Sequence, residues 1–172
     1  REEGLVMPLV KAYLTRKDKP GPIVQFLFNP SEFSVEKTNQ FREVDSPGLP
    51  SSTFQFVKGG ARTLTMDLFF DTYEKKMEVP LFTDRITGLD SGCMFSRLPG
   101  IAKGLMDIDS DLHAPPVCLF IWGAYIFPCI IERVTKRFTM FLPEGIPVRA
   151  TLNVVLKECK ELETQVRETP LQ

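Results

Sequence analysis

The chain has 172 residues, 43% of them hydrophobic and 25% charged, with a formal net charge of -1. That length supports one domain with a substantial core and not two large ones. The balanced charge, with a pI near 5.9, removes any global electrostatic drive toward nucleic acid.

Leu5 to Thr15 reads as a first strand and Ile23 to Phe28 as a second, with Lys19-Pro20-Gly21-Pro22 as the turn between them. Asn29-Pro30-Ser31-Glu32 is another turn, leading into a strand from Phe33 to Arg42. Val44 to Ser52, rich in Asp, Ser, Pro and Gly, reads as an exposed loop. Thr53 to Val57 is a short strand before Gly59-Gly60, a pair that supplies a bulge or turn. The strongest strand signal follows, from Arg62 to Phe70. There Leu64, Met66, Leu68 and Phe70 alternate with Thr63, Thr65, Asp67 and Phe69, the period-two pattern of a half-buried strand. The connections are too short for crossover helices, so the sheet is expected to be antiparallel.

Between Val79 and Asp109 the pattern becomes helical. Phe82, Ile86 and Leu89 stand at helical spacing, with Pro80 near the start. Met94, Leu98, Ile101, Leu105 and Ile108 continue the stripe, but Pro99, Gly100 and Gly104 interrupt it, predicting one good helix and one irregular segment.

Pro115-Pro116 stiffens the entry to a hairpin with arms Val117 to Trp122 and Tyr125 to Arg133. Pro128 cannot donate to a ladder and marks a bulge or an edge. A turn at Gly123-Ala124 sets Cys118 opposite Cys129; two reduced core thiols are expected, with a cross-strand bridge as the alternative. Val134 to Phe141 pairs next. After the turn from Leu142 to Pro147, Val148, Ala150, Leu152, Val154 and Leu156 alternate with Arg149, Thr151, Asn153, Val155 and Lys157. The β domain therefore runs over residues 5–159, and residues 160–172 read as a polar linker toward a further module.

Side chains that carry chemistry are sparse. The cysteines at 93, 118, 129 and 159 form no C-x-x-C pair, which argues against zinc. The single histidine, His113, has no nucleophile motif beside it, and a loop histidine is the expected role. Asp107, Asp109 and Asp111 lack the glycine and glutamate of a calcium loop and read as a solvated acidic turn. Gly59-Gly60-Ala61-Arg62-Thr63 lacks the Gly-Lys-Ser/Thr ending and the helix of a phosphate loop. Glu32 and Glu36 carry no pocket signal. No catalytic residue, cofactor or metal is expected, and the chain is read as not an enzyme. The apolar window Val117 to Ile131 is broken by Gly123 and Pro128 and is shorter than the roughly 20 residues of a spanning helix. The opening Arg-Glu-Glu shows no secretory signal, so synthesis and assembly in the cytoplasm are expected.

Several segments together carry a family resemblance: Phe28-Asn29-Pro30-Ser31-Glu32-Phe33; Gly59 to Met66 continuing through Phe69-Phe70-Asp71-Thr72-Tyr73-Glu74; His113-Ala114-Pro115-Pro116-Val117-Cys118 to Trp122-Gly123; and Arg137 to Gly145 with Arg149 to Val154. In this order they resemble the N-terminal domain of the tube-initiating baseplate adaptor of phage-tail-like contractile injection systems. The resemblance implies a mainly β fold with a flanking helix: a small antiparallel barrel or sandwich of two packed sheets that forms rings. It implies a homo-hexamer between a threefold spike hub and the inner tube, in contact with other baseplate proteins, with no nucleic acid and no membrane insertion. It also implies a C-terminal LysM module beyond the linker. The resemblance makes the polar strand faces, Thr63, Thr65, Asp67, Arg149, Thr151 and Asn153, candidates for the wall of the tube lumen. From pattern alone they fit the solvent face of a monomeric sheet equally well. The chain departs from the family in an extra segment, Asp90 to Leu105. The alternative function is a monomeric β-barrel that binds a ligand or peptide in an enclosed cavity.

Overall fold

The computed structural model describes residues 9–18, 24–44, 52–75, 79–87, 104–108 and 113–160. The turn at 19–22, the loop at 45–51, Cys93, most of the extra segment, Asp109, Asp111 and the linker at 161–172 lie outside these residues.

Seven strands and one helix are described: β1 (Tyr13–Arg16), β2 (Val24–Gln25), β3 (Phe33–Val44), β4 (Thr53–Asp71), α1 (Pro80–Thr87), β5 (Cys118–Trp122), β6 (Tyr125–Phe141) and β7 (Pro147–Glu158). All pairings are antiparallel, in one sheet of order β2-β1-β5-β6-β7-β4-β3. The fold is mainly β with a flanking helix, as expected. The two expected layers are the two halves of this one sheet, which curls over its own core. Phe33 on edge strand β3 packs against Phe120, Trp122 and Tyr125 of β5 and β6, with ring centroids 5.4–6.2 Å apart, although three strands separate β3 from β5 in the order. Between β2 and β3 no ladder closes the curl among the described residues.

The alternation in the sequence becomes the inside and outside of this curl. Leu64, Met66, Leu68 and Phe70 from β4 meet Ala150, Leu152, Val154 and Leu156 from β7, with Phe120, Phe127, Cys129 and Leu14 completing a core that is at most 2% exposed. At about 1.5–3 kcal/mol per fully buried large apolar side chain, this face supplies the main drive for folding. Pro80 begins α1, where its missing N–H removes no helical bond. The Val79 amide donates to the Pro147 carbonyl, and the amides of Leu105 and Met106 donate to the carbonyls of Arg85 and Ile86. Lys136 of β6 and Asp84 of α1 form an ion pair with both side chains mostly buried, which fixes the helix against the sheet.

Two long strands differ from their sequence reading. Thr53 to Val57 and Arg62 to Phe70 are parts of the single 19-residue strand β4, because the double glycine bulges the chain without turning it. Lys37 pairs with Arg62 and Asn39 with Gly59, so β4 carries one residue more than β3 at this point. A Cβ at Gly60 would lie 2.3 Å from the Thr38 carbonyl oxygen, so only glycine fits. A second extra residue, Val57, follows between the pairs Gln40–Lys58 and Phe41–Phe56. Likewise the predicted segments on either side of Arg133 form one 17-residue strand, β6. Its register shifts by one residue between Ile131 and Arg133.

The hairpin turns at Gly123, whose φ of 61° is left-handed, and pairs Cys118 with Cys129 and Leu119 with Pro128. The Pro128 carbonyl accepts from the Cys159 amide on the β7 side. Its nitrogen therefore also faces β7, just beyond the last ladder pair Cys129–Glu158, where no donor is required.

Candidate assembly surface

The outer face of β6, β7, β4 and β3 is mostly polar, interrupted by Phe69 and Val155, and all six candidate residues lie on it. The register sets them in rows. Asp67 stands opposite Asn153, which stands opposite Thr135; Phe69 is opposite Thr151, and Thr151 opposite Arg137; Asp71 is opposite Arg149. Thr65 and Thr63 pair with Val155 and Lys157 on one side and with Ser34 and Glu36 on the other. Only Asp67 among the six is exposed; the others are half-buried, because neighbouring side chains on a pleated face cover each other.

Specific contacts knit the wall. The Asn153 side-chain amide donates to Asp67 Oδ1 at 2.8 Å. Arg149 donates from Nε and Nη2 to Asp71 Oδ2 at 2.9 and 2.6 Å, and its guanidinium lies 5.8 Å over the Phe69 ring. The amide of Tyr73, with Arg149, holds the Asp71 carboxyl below the usual carboxylate range. A shallow recess of about 240 Å³, lined by Glu32, Ser34, Thr65, Asp67 and Asn153 among others, sits on this face. Sequence reading missed the β6 contribution of Thr135 and Arg137. Their alternation with Val134, Lys136 and Phe138 was the available signal.

On the opposite, core-facing side of the sheet, Glu158 ends β7 beside the buried Cys129. Its side chain is only 5% exposed, and it accepts from Arg62 Nε at 3.0 Å, Nη2 at 2.7 Å and the Arg62 backbone amide at 3.0 Å. The same guanidinium lies 5.4 Å from the Phe127 ring centroid. The Arg62 bonds lower the Glu158 pKa against the opposing effect of burial. Nothing in the sequence marks this pair, whose members are 96 positions apart.

The other chemistry-bearing side chains are dispersed. His113 is exposed in a left-handed turn with φ of 54°. Asp107 accepts from the Gly104 amide at 2.7 Å, closing a local turn. Cys118 and Cys129 are free and buried, and burial raises their thiol pKa values to about 11 and about 12. Because Leu119–Pro128 lacks a donor and faces outward from β5, the alternation of an antiparallel ladder makes Cys118–Cys129 a hydrogen-bonded pair. Such pairs have Cα atoms about 5.5 Å apart and side chains farther from each other than the neighbouring pairs, a poor setting for a bridge that needs Cβ atoms about 3.8 Å apart. Among the described residues no group of three or more His, Cys, Asp or Glu could hold a metal ion, and no helix is long and apolar enough to cross a membrane. A recess of about 420 Å³ between β2 and α1, lined by Lys11, Val24, Phe26, Phe82 and Arg85 among others, opens to the surface.

The sequence model of one protein family, described as contractile injection system tube protein, matches residues 8–167. No curated protein matches the chain.

Proposed function

We propose a place for this chain within the family to which it belongs, the contractile injection system tube proteins: it is the six-membered ring that joins the threefold spike hub to the inner tube and starts tube polymerisation. The family makes it a structural component of an injection particle. The adaptor position, the sixfold ring and the contacts with tube, hub and other baseplate proteins are our reading. In this reading the chain has no catalytic task and no cofactor, assembles in the cytoplasm, and passes through the linker at 160–172 to a further module.

One observation supports the ring above the monomeric ligand-binding alternative. The polar wall ends in an open edge: among the described residues β3 is paired on one side only, over 12 residues. An unpaired edge of that length is a template for another strand, and a head-to-tail contact that closes after a fixed rotation makes a ring. Edge pairing around such a ring places Thr63, Thr65, Asp67, Arg149, Thr151 and Asn153 on one continuous surface, the proposed lumen wall. The alternative requires an enclosed cavity, and the recess beside α1 is open.

Deleting this chain from the operon that encodes the particle tests the reading. Spike complexes without tubes, restored to full particles by the wild-type gene, are expected. Tubes of normal length nucleated on the spike without this chain would overturn it.

A further inference from the structure

The distal halves of β3 and β4 form an arm that leaves the body of the molecule. β4 pairs with β7 only from Thr63 to Asp71, and beyond the pairs Glu36–Thr63 and Lys37–Arg62 the ladder that joins residues 39–44 to 53–59 has no further strand beside it among the described residues. The arm is amphipathic. Odd-numbered β3 residues share the core-facing side with Phe33 and Val35, which places Phe41 and Glu43 on that side. Their cross-strand partners are Phe56 and Phe54. The two bulges in β4 each reverse its alternation, so together they return Phe54 and Phe56 to the side of Leu64 and Met66. The arm thus extends the core face beyond the core, with Phe41, Phe54 and Phe56 at 58%, 70% and 59% exposure. Phe41 and Phe56 pack edge-to-face at 5.7 Å. A two-stranded hairpin is at best marginally stable alone, and these rings have no cover from their own chain among the described residues.

A second apolar patch lies at the other end of β4. Phe28 packs on Phe69 with centroids 5.7 Å apart, at 48% and 41% exposure. Val10, 52% exposed, is tied to the residue after Phe28, its carbonyl accepting from Asn29 Nδ2 at 2.8 Å. Phe56 and Phe69 are separated by roughly 40 Å at ~3.3 Å per residue along β4.

We propose that the aromatic face of the arm docks on the Val10–Phe28–Phe69 patch of a second copy of this chain. This rests on the ring reading and adds the surfaces through which copies meet. Donor and acceptor at opposite ends of one strand are what a head-to-tail contact requires. At about 200 Å² per Phe ring, the three arm rings leave roughly 370 Å² uncovered. That approaches the roughly 450 Å² of apolar surface that one partner brings to a standard interface. Charge also matches. Glu43 stands beside Phe54 on the arm, while Lys11 lies 5.8 Å over the Phe28 ring.

The test replaces Phe54 with the photo-crosslinker p-benzoylphenylalanine in the full chain within purified particles and maps the products by mass spectrometry. Crosslinks to residues 9–28 or 63–71 of another copy, distinguished by isotopic labelling, are expected. Crosslinks only within one copy, only to a different particle protein, or none would overturn the proposal. Glu43→Lys is expected to lower assembly at least tenfold and the added Lys11→Glu to restore it; assembly unaffected by Glu43→Lys would also count against the contact. The two ideas fail separately. Sixfold rings with position 54 crosslinked elsewhere reject the docking and leave the ring. Crosslinks between positions 54 and 28 in particles without a sixfold ring reject the ring and leave the docking.

Discussion

The adjacent glycines of β4 should differ in their response to alanine. A Cβ at Gly60 would stand 2.3 Å from the Thr38 carbonyl oxygen, whereas at Gly59 the nearest atom is Asn39 Oδ1 at 3.9 Å. The first contact is with backbone, so relief demands that β3 and β4 separate by most of an ångström at the root of the arm. Overpacking of this kind costs about 1–3 kcal/mol, or roughly 2–12 °C of Tm for a domain of this size. The second contact is ordinary, and Gly59→Ala should stay within about 1 kcal/mol of wild type in either direction, since alanine also restricts the unfolded chain. Calorimetry would measure both, with amide hydrogen exchange across residues 36–44 and 53–61 to detect an arm that peels away while the body stays folded. Gly60→Ala should lower Tm or strip protection from the arm. A Gly60→Ala variant with unchanged Tm and unchanged protection, or a Gly59→Ala variant more damaged than it, would refute the close approach.

In a Cys93→Ser background, a small alkylating reagent at pH 8 should modify Cys159, which is partly exposed, while Cys118 and Cys129 stay unlabelled until the chain is unfolded; rapid native labelling of either would contradict their burial. Asp71 and Glu158 both have lowered pKa values in the folded chain, so the stability they add is complete above their unfolded values and is lost as pH falls through the lower folded ones. Urea midpoints should hold between pH 7 and about pH 5 and fall below about pH 4, and Glu158→Gln should make that acid fall shallower. Thr65→Pro and Thr151→Pro each remove a ladder donor from strands paired on both sides, where a sheet does not accommodate proline. Both should abolish particle assembly, and normal particles from both variants would contradict the strand assignment.

Local pattern made much of this fold readable. Strict alternation from Arg62 to Phe70 and from Val148 to Lys157 gave the two strands that carry the core. The Gly123-Ala124 turn gave the register of Cys118 against Cys129. Pro80 with Phe82 and Ile86 marked α1. Long-range pairing was not readable, because alternation specifies the face of a strand and not its neighbour. The adjacency of β1 to β5, the Asp67–Asn153 contact and the Arg62–Glu158 pair all belong to that class. The arm was hidden for a more specific reason. Two bulges shift the alternation between residues 54 and 62, so a continuous strand read as a short strand, a break and a second strand, and its aromatic face went unrecognised.

Cryo-electron microscopy of particles purified from the native operon tests the central claim most directly. The account predicts six copies of this chain in one ring between spike and tube, with the face that carries Thr65, Asp67, Thr151 and Asn153 lining the channel. A map in which the chain lies outside the tube axis, or in which the ring between spike and tube is built from a different protein, would contradict it.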